Sequence, residues 1–152
     1  MTMHQHVKEF IDAYAESVVW TSLVLDDEGE GWYIDQLPEA SREGYINEII
    51  THEDVEDVTH RIKTHPGVIQ DCERFIAGNY DTLKALIEDG SCPDWASHGH
   101  DFHLTRDHHG AGFWDRGYGE AGDLLTERAE EYGESSHEFW VVDNTIGWAY
   151  NG

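Results

Sequence analysis

Carboxylates and apolar side chains are interleaved at helical spacing near the start of this chain, and that alternation restricts what the chain can fold into. The stretch HVKEFIDAYAESVVWTSLVL places Val7, Phe10, Ile11, Tyr14 and Val18 on one side of a 3.6-residue period, with Leu25 at its end. Glu9, Asp12 and Glu16 recur on the other side. The spacing predicts a helix over 5–24 with one buried stripe and one charged face.

The same interleaving recurs along the chain. Residues 1–60 carry 15 acidic side chains against Lys8 and Arg42 alone. Over the whole chain there are 32 acidic and 9 basic side chains, a formal net charge of −23. Such a chain repels nucleic acid and anionic membrane surfaces and attracts proteins with basic clefts. It is not the composition of a disordered acidic tail. Six Trp, seven Tyr and five Phe can anchor a core, and the acids are dispersed rather than gathered in one block.

A length of 152 residues fits one domain, 1–152. No apolar run is long enough to predict a transmembrane helix, and MTMHQHVKEF lacks the features of a secretory signal. Cys72 and Cys92 offer no metal spacing and no disulfide framework, so a reducing cytoplasm is the expected setting.

DDEGEG (26–31) reads as a loop, and Pro38 suits the first turn of a helix carrying Tyr45, Ile46, Ile49 and Ile50 on one side. Thr51 reads as the cap of the helix HEDVEDVTHRIK, whose early acids suit an N-terminus. Pro66 opens a further helix with Ile69, Cys72, Phe75 and Ile76 as its stripe. Asp81 reads as the cap of TLKALIED, which Gly90 stops. DFHLTR alternates and reads as a strand, with GFWD as its partner and DHHGA as the turn. EAGDLLTERAEEYG reads as a helix ending at Gly133, and HEFWVV and TIGWAY as a hairpin about Asp143-Asn144. The expected fold is α+β: an acidic helical N-terminal half packed with a C-terminal antiparallel sheet and one helix.

The stretch HDFHLTRDHHGAGFWDRG is the densest in chemistry. His98, His100, His103, His108 and His109 lie close together, with Asp101 and Asp107 among them, and imidazole with carboxylate can bind zinc or iron. No HExxH or CxxC accompanies them, and GxSxG and GxGxxG are absent. A fold-core role explains more of the residues. Phe102, Leu104, Phe113 and Trp114 supply apolar area, and Arg106 and Arg116 are expected to pair with aspartates such as Asp101 or Asp115. No metal, no cofactor and no catalytic residue is expected.

The segment HDFHLTRDHHGAGFWDRGYGEAGDLLTERAEEYG resembles small acidic proteins of phages and mobile elements. Those show a DFWLTR-x-x-HGAGFWDRG signature followed by LT-x-x-A. FIDAYAESVVWTS and DCERFIAGN also resemble the family's pattern. His103 stands where the family has tryptophan, and residues near 39–65 are longer than the usual pattern. The resemblance implies a phage-like setting, in which small acidic proteins block DNA-binding enzymes of the host.

The leading functional expectation is therefore a DNA-mimicking inhibitor, an anti-restriction or other counter-defence protein in the host cytoplasm. Carboxylates three or four residues apart on a helix sit about 5–6 Å apart, so rows on neighbouring helices can approximate the phosphates of duplex DNA. The candidate rows are Glu9, Asp12 and Glu16; Glu53, Asp54, Glu56 and Asp57; and Glu127, Glu130, Glu131 and Glu134. The expected partner is a host DNA-binding protein with a basic cleft. No direct binding of nucleic acid or membrane is expected, and a homodimer would lengthen the charged surface. Two alternatives stand beside it: a histidine-centred metal protein or enzyme, and a halophilic domain whose acids hold water and cations without mimicry.

Overall fold

The computed structural model describes residues 3–151. Helix α1 (Met3–Thr21) leads into a short antiparallel pair, β1 (Leu23–Leu25) and β2 (Gly31–Tyr33). A 3-10 turn and α2 (Leu37–Arg42) follow, then α3 (His52–Thr64), α4 (Pro66–Glu88), α5 (Trp95–Arg106) and α6 (Glu120–Glu130). The chain ends in the antiparallel hairpin of β3 (Ser136–Val142) and β4 (Thr145–Asn151). The fold is α+β, largely helical, with two small antiparallel sheets.

Helix α1 is the central element. It runs along α5 and touches α3 and α4. Phe10, Tyr14 and Val18 face inward as their spacing predicts, against Phe75 of α4 and Phe102 of α5. The close approach of α1 and α5 depends on Gly99, where a Cβ would lie 2.1 Å from the Phe10 carbonyl oxygen. Ring packing among Phe10, Phe75, Phe102 and Phe113 forms the middle of the core.

Local signals set several boundaries. Thr51 caps α3 through a reciprocal capping box: its hydroxyl accepts from Asp54 N–H, and the Asp54 carboxylate accepts from Thr51 N–H. Pro66 opens α4. Asp143 and Asn144 both take left-handed backbone angles, φ 52° and 59°, the geometry a two-residue hairpin turn requires. Gly90 and Gly133 follow the ends of α4 and α6 with positive φ.

Five expectations are corrected. DFHLTR is not a strand: it is the second half of α5, so the second half of the chain holds α5 as well as α6. Asp94 caps α5 by accepting from Ser97 N–H, and Asp101, Phe102 and His103 are all buried, so they do not sort onto two faces of a strand. GFWD forms a 3-10 turn over Phe113–Asp115; Phe113 is buried, but Trp114 is 55% exposed and contributes no core. Asp81 lies inside α4, which continues past a non-helical Asn79, instead of capping a separate helix. The helix from Pro38 stops at Arg42; Ile46 and Ile50 are buried from a looser segment, while Tyr45 and Ile49 face solvent. The first helix ends at Thr21, because 23–25 pairs as a strand, and Leu25 is 69% exposed.

Candidate functional site

Two kinds of site compete in this structure: the acidic faces of the helices and a polar cavity beside α5.

The candidate rows divide between two flanks. The α3 row borders α1 and α4, whereas α6 packs on α5 and α4. Glu16, Glu53, Glu56, Asp57, Glu127, Glu130, Glu131 and Glu134 are exposed; Glu9, Asp12 and Asp54 are half-buried. Asp12 lies between Lys8 and Lys63, at 2.7 and 3.5 Å, so its charge is answered within the chain. Asp54 is committed to the α3 cap. Asp57 pairs with Arg61, and Glu131 with Arg128. Between α1, α3 and α4 a groove of about 540 Å³ is lined by Val7, Ile11 and Ile69 together with Lys8 and Lys63, which interrupts the acidic surface between the α1 and α3 rows.

The basic residues are unevenly placed. Lys8, Arg61, Lys63, Lys84, Arg106, Arg116 and Arg128 all bond to carboxylates of this chain. Arg116 grips the buried Asp101 through Nε and Nη2, as expected. Arg106 is buried and pairs elsewhere: it donates to Asp71, to the Tyr14 hydroxyl and to the Gly133 and Tyr132 carbonyls.

The cavity, about 210 Å³, is bordered by His103 and Asp107 of the α5 end, His109, and Glu134, Ser135 and His137 of the segment leading into β3. One turn of helix separates His103 from Asp107, and His103 Nε2 lies 2.9 Å from Asp107 Oδ2. On its other side, His103 Nδ1 meets the Ser17 hydroxyl of α1 at 2.7 Å. Asp107 accepts from both the N–H and the hydroxyl of Ser135, at 2.6 and 2.5 Å. The α5 end closes as a Schellman motif, with His109 N–H on the Leu104 carbonyl and His108 N–H on Thr105. His108 takes the left-handed position at φ 54°, where glycine is usual, and this turn returns His109 to within 5.2 Å of His103, ring to ring.

Burial pushes the Asp107 carboxyl up, but the bonds from His103 and Ser135 outweigh it and hold it below its ordinary value. Burial lowers His103. Burial, with His103 beside it, lowers His137 to about 3. Trp148 Nε1–H donates to His137 Nδ1 at 3.2 Å. An indole N–H only donates, so the neutral His137 ring carries its proton on Nε2. That buried Nε2 has no partner among the described residues.

His98 stands apart, with Nε2 on the Leu83 carbonyl in the core, and His100 lies 3.9 Å from Glu16. Residue spacing alone missed Ser17, Ser135 and His137. The signal that finds the cavity is H-x-x-x-D at 103–107, one helical turn, which becomes visible only once the segment is read as a helix. Comparison with protein-family models, with curated proteins and with solved structures finds no match to this chain.

Proposed function

We propose that this protein is an inhibitor of a DNA-binding protein, presenting carboxylates where the partner expects backbone phosphates. The observation that carries the reading is the fate of the cations: seven of the nine Lys and Arg side chains bond to carboxylates of this chain, and among the described residues most acids have no Lys or Arg partner. An outward field of one sign steers association with a basic cleft and weakens with salt. The resemblance of 100–133 to small acidic phage proteins supports a counter-defence setting in a host cell. The inhibitor acts by occupancy, not by chemistry.

The contact set of this reading is Glu53, Glu56 and Asp57 on α3, Glu9 and Glu16 on α1 beyond the Lys8–Lys63 groove, and Glu127, Glu130, Glu131 and Glu134 at and after the end of α6. Asp12 and Asp54 leave it, being occupied by Lys8 and Lys63 and by the α3 cap.

The test begins with capture of partners at low salt, followed by titration of the captured protein's DNA binding. Wild type should displace DNA, and should do so far less well as salt rises from about 50 to 200 mM. Glu53→Lys, Glu56→Lys and Asp57→Lys together should impair displacement, while the fold survives. Equal potency of wild type and this variant, with equal potency of the corresponding α6 variant, would remove carboxylate mimicry.

A second reading has its own observation. Among the described residues, exposed acids lie on five helices, α1, α2, α3, α4 and α6, not on one alone, as expected of a surface adapted to high salt. That reading predicts that thermal stability rises steeply with molar potassium chloride and that no protein competes with DNA.

A further inference from the structure

We propose that His103, Asp107 and His109 form a binding site for a divalent transition-metal ion, with one coordination position open to the neighbouring cavity. One ligand atom from each of the three lies within 4.8 Å of the others. Two imidazoles and one carboxylate are a donor set that zinc, iron(II) and cobalt(II) accept, and three protein ligands leave room for a fourth. None of the three ligands belongs to the acidic rows, although Glu134 of the last row borders the cavity, and the site does not rest on the inhibitor reading.

Three features go beyond a simple buried histidine–aspartate hydrogen bond. The first is His109. A His103–Asp107 pair would be complete without it, yet the left-handed His108 turn carries it back to the same spot. The second is the support behind the ligands. Without an ion, His103 Nε2–H bonds to Asp107; with the ring proton on Nδ1 instead, Ser17 can accept it and the Nε2 lone pair is free for an ion, while Ser135 fixes Asp107 through two bonds. Outer partners of this kind orient metal ligands and set their tautomer. The third is His137. Its unpartnered Nε2–H borders the same cavity and is a donor in want of an acceptor. An oxygen ligand in the open position, water or a small carboxylate, would supply one.

Zinc is the probe for stoichiometry and cobalt(II) for ligand type. The full-length protein, stripped with chelator and dialysed, should bind one zinc per chain. Its cobalt(II) complex should show the intense visible absorption of a low-coordinate nitrogen- and oxygen-ligated ion. Both should persist with excess magnesium and in about 1 M potassium chloride, where a diffuse acidic surface is screened within about 3 Å. His109→Ala changes an exposed side chain and should leave metal-free melting unchanged, yet weaken zinc at least tenfold and abolish the cobalt spectrum. Ser17→Ala should weaken zinc by about 10–100-fold. Binding that survives His109→Ala undiminished, or that magnesium or salt removes, would assign the ions to surface carboxylates and overturn the site. Absence of stoichiometric zinc from the wild type would overturn it as well.

Discussion

Helices α3 and α5 are nearly equal in length, 13 and 12 residues, and place their charged groups in opposite ways. Helix α3 turns Glu53, Glu56 and Asp57 to solvent and buries only Val58 and Ile62. Helix α5 buries His98, Asp101, His103 and Arg106, each with a partner supplied by another part of the chain. Exposed charges in water interact weakly and tolerate exchange. Buried ones must be answered group by group, or the fold loses several kcal/mol per unanswered charge. In this molecule the abundant charges are thermodynamically quiet, and the scarce cations at the α5 end hold the architecture.

Arg106→Ala tests that contrast most severely. It removes the cation paired with Asp71, which keeps only the Tyr150 hydroxyl as a donor among the described residues, and leaves the Tyr132 and Gly133 carbonyls without the guanidinium; it should lower unfolding free energy by about 3–5 kcal/mol in urea titrations. A loss comparable to that of an exposed arginine would break the comparison.

Acid should act next, through the same end of α5. His137 and His103 have lowered pKa values in the folded protein, so between pH 6.5 and about 3 the unfolded chain binds more protons than the folded one. Stability therefore falls as pH falls through that window. His98 adds in the same direction, and Asp107, also lowered, adds at the acid end; Asp101, raised by burial, opposes them. The expected loss is on the order of a few kcal/mol, read as melting temperature against pH. His137→Phe should flatten the profile, and an unchanged slope would remove His137 from the account.

On α3, Thr51→Ala breaks the capping box and should cost about 1 kcal/mol. Glu53→Gln with Glu56→Gln should leave the urea midpoint nearly where it was. If the acid pair proved costlier than the cap, the faces of α3 would be structural and the contrast with α5 would fail.

The two helices also differ in how far the sequence reveals them. Thr51, Pro66 and Asp143-Asn144 act through bonds within a few residues of themselves, so local reading finds them. Helix α5 has no apolar stripe, because histidine, aspartate and arginine occupy inward positions beside Trp95 and Phe102. Their partners on α1, on α4, at Arg116 and in the Tyr132–Gly133 segment after α6 lie 15 or more residues along the chain, and no local pattern reports them. The local start signal of α5 is Asp94, whose carboxylate accepts from Ser97 N–H, and the alternation of DFHLTR within the helix obscures it. Trp114 misleads for a related reason: it sits beside the buried Phe113 in a 3-10 turn, where neighbours point in different directions. The cavity itself was half legible. Its histidines and aspartates were visible as a group, but their pairing needed the helical period.

The bond between Tyr14 and Ser135 spans 121 residues, and it gives the cavity a place in time. A chain emerging from the ribosome can form α1 through α5 and still lack the residues that complete Asp107. Ser17 and His103 would already be in place, with the carboxylate open to water on the side Ser135 later covers. Only when the segment leading into the hairpin arrives does the wall close. The polar centre is thus sealed late: a chain cut short before Glu134 would hold the residues of α1 through α6 and none of the seal.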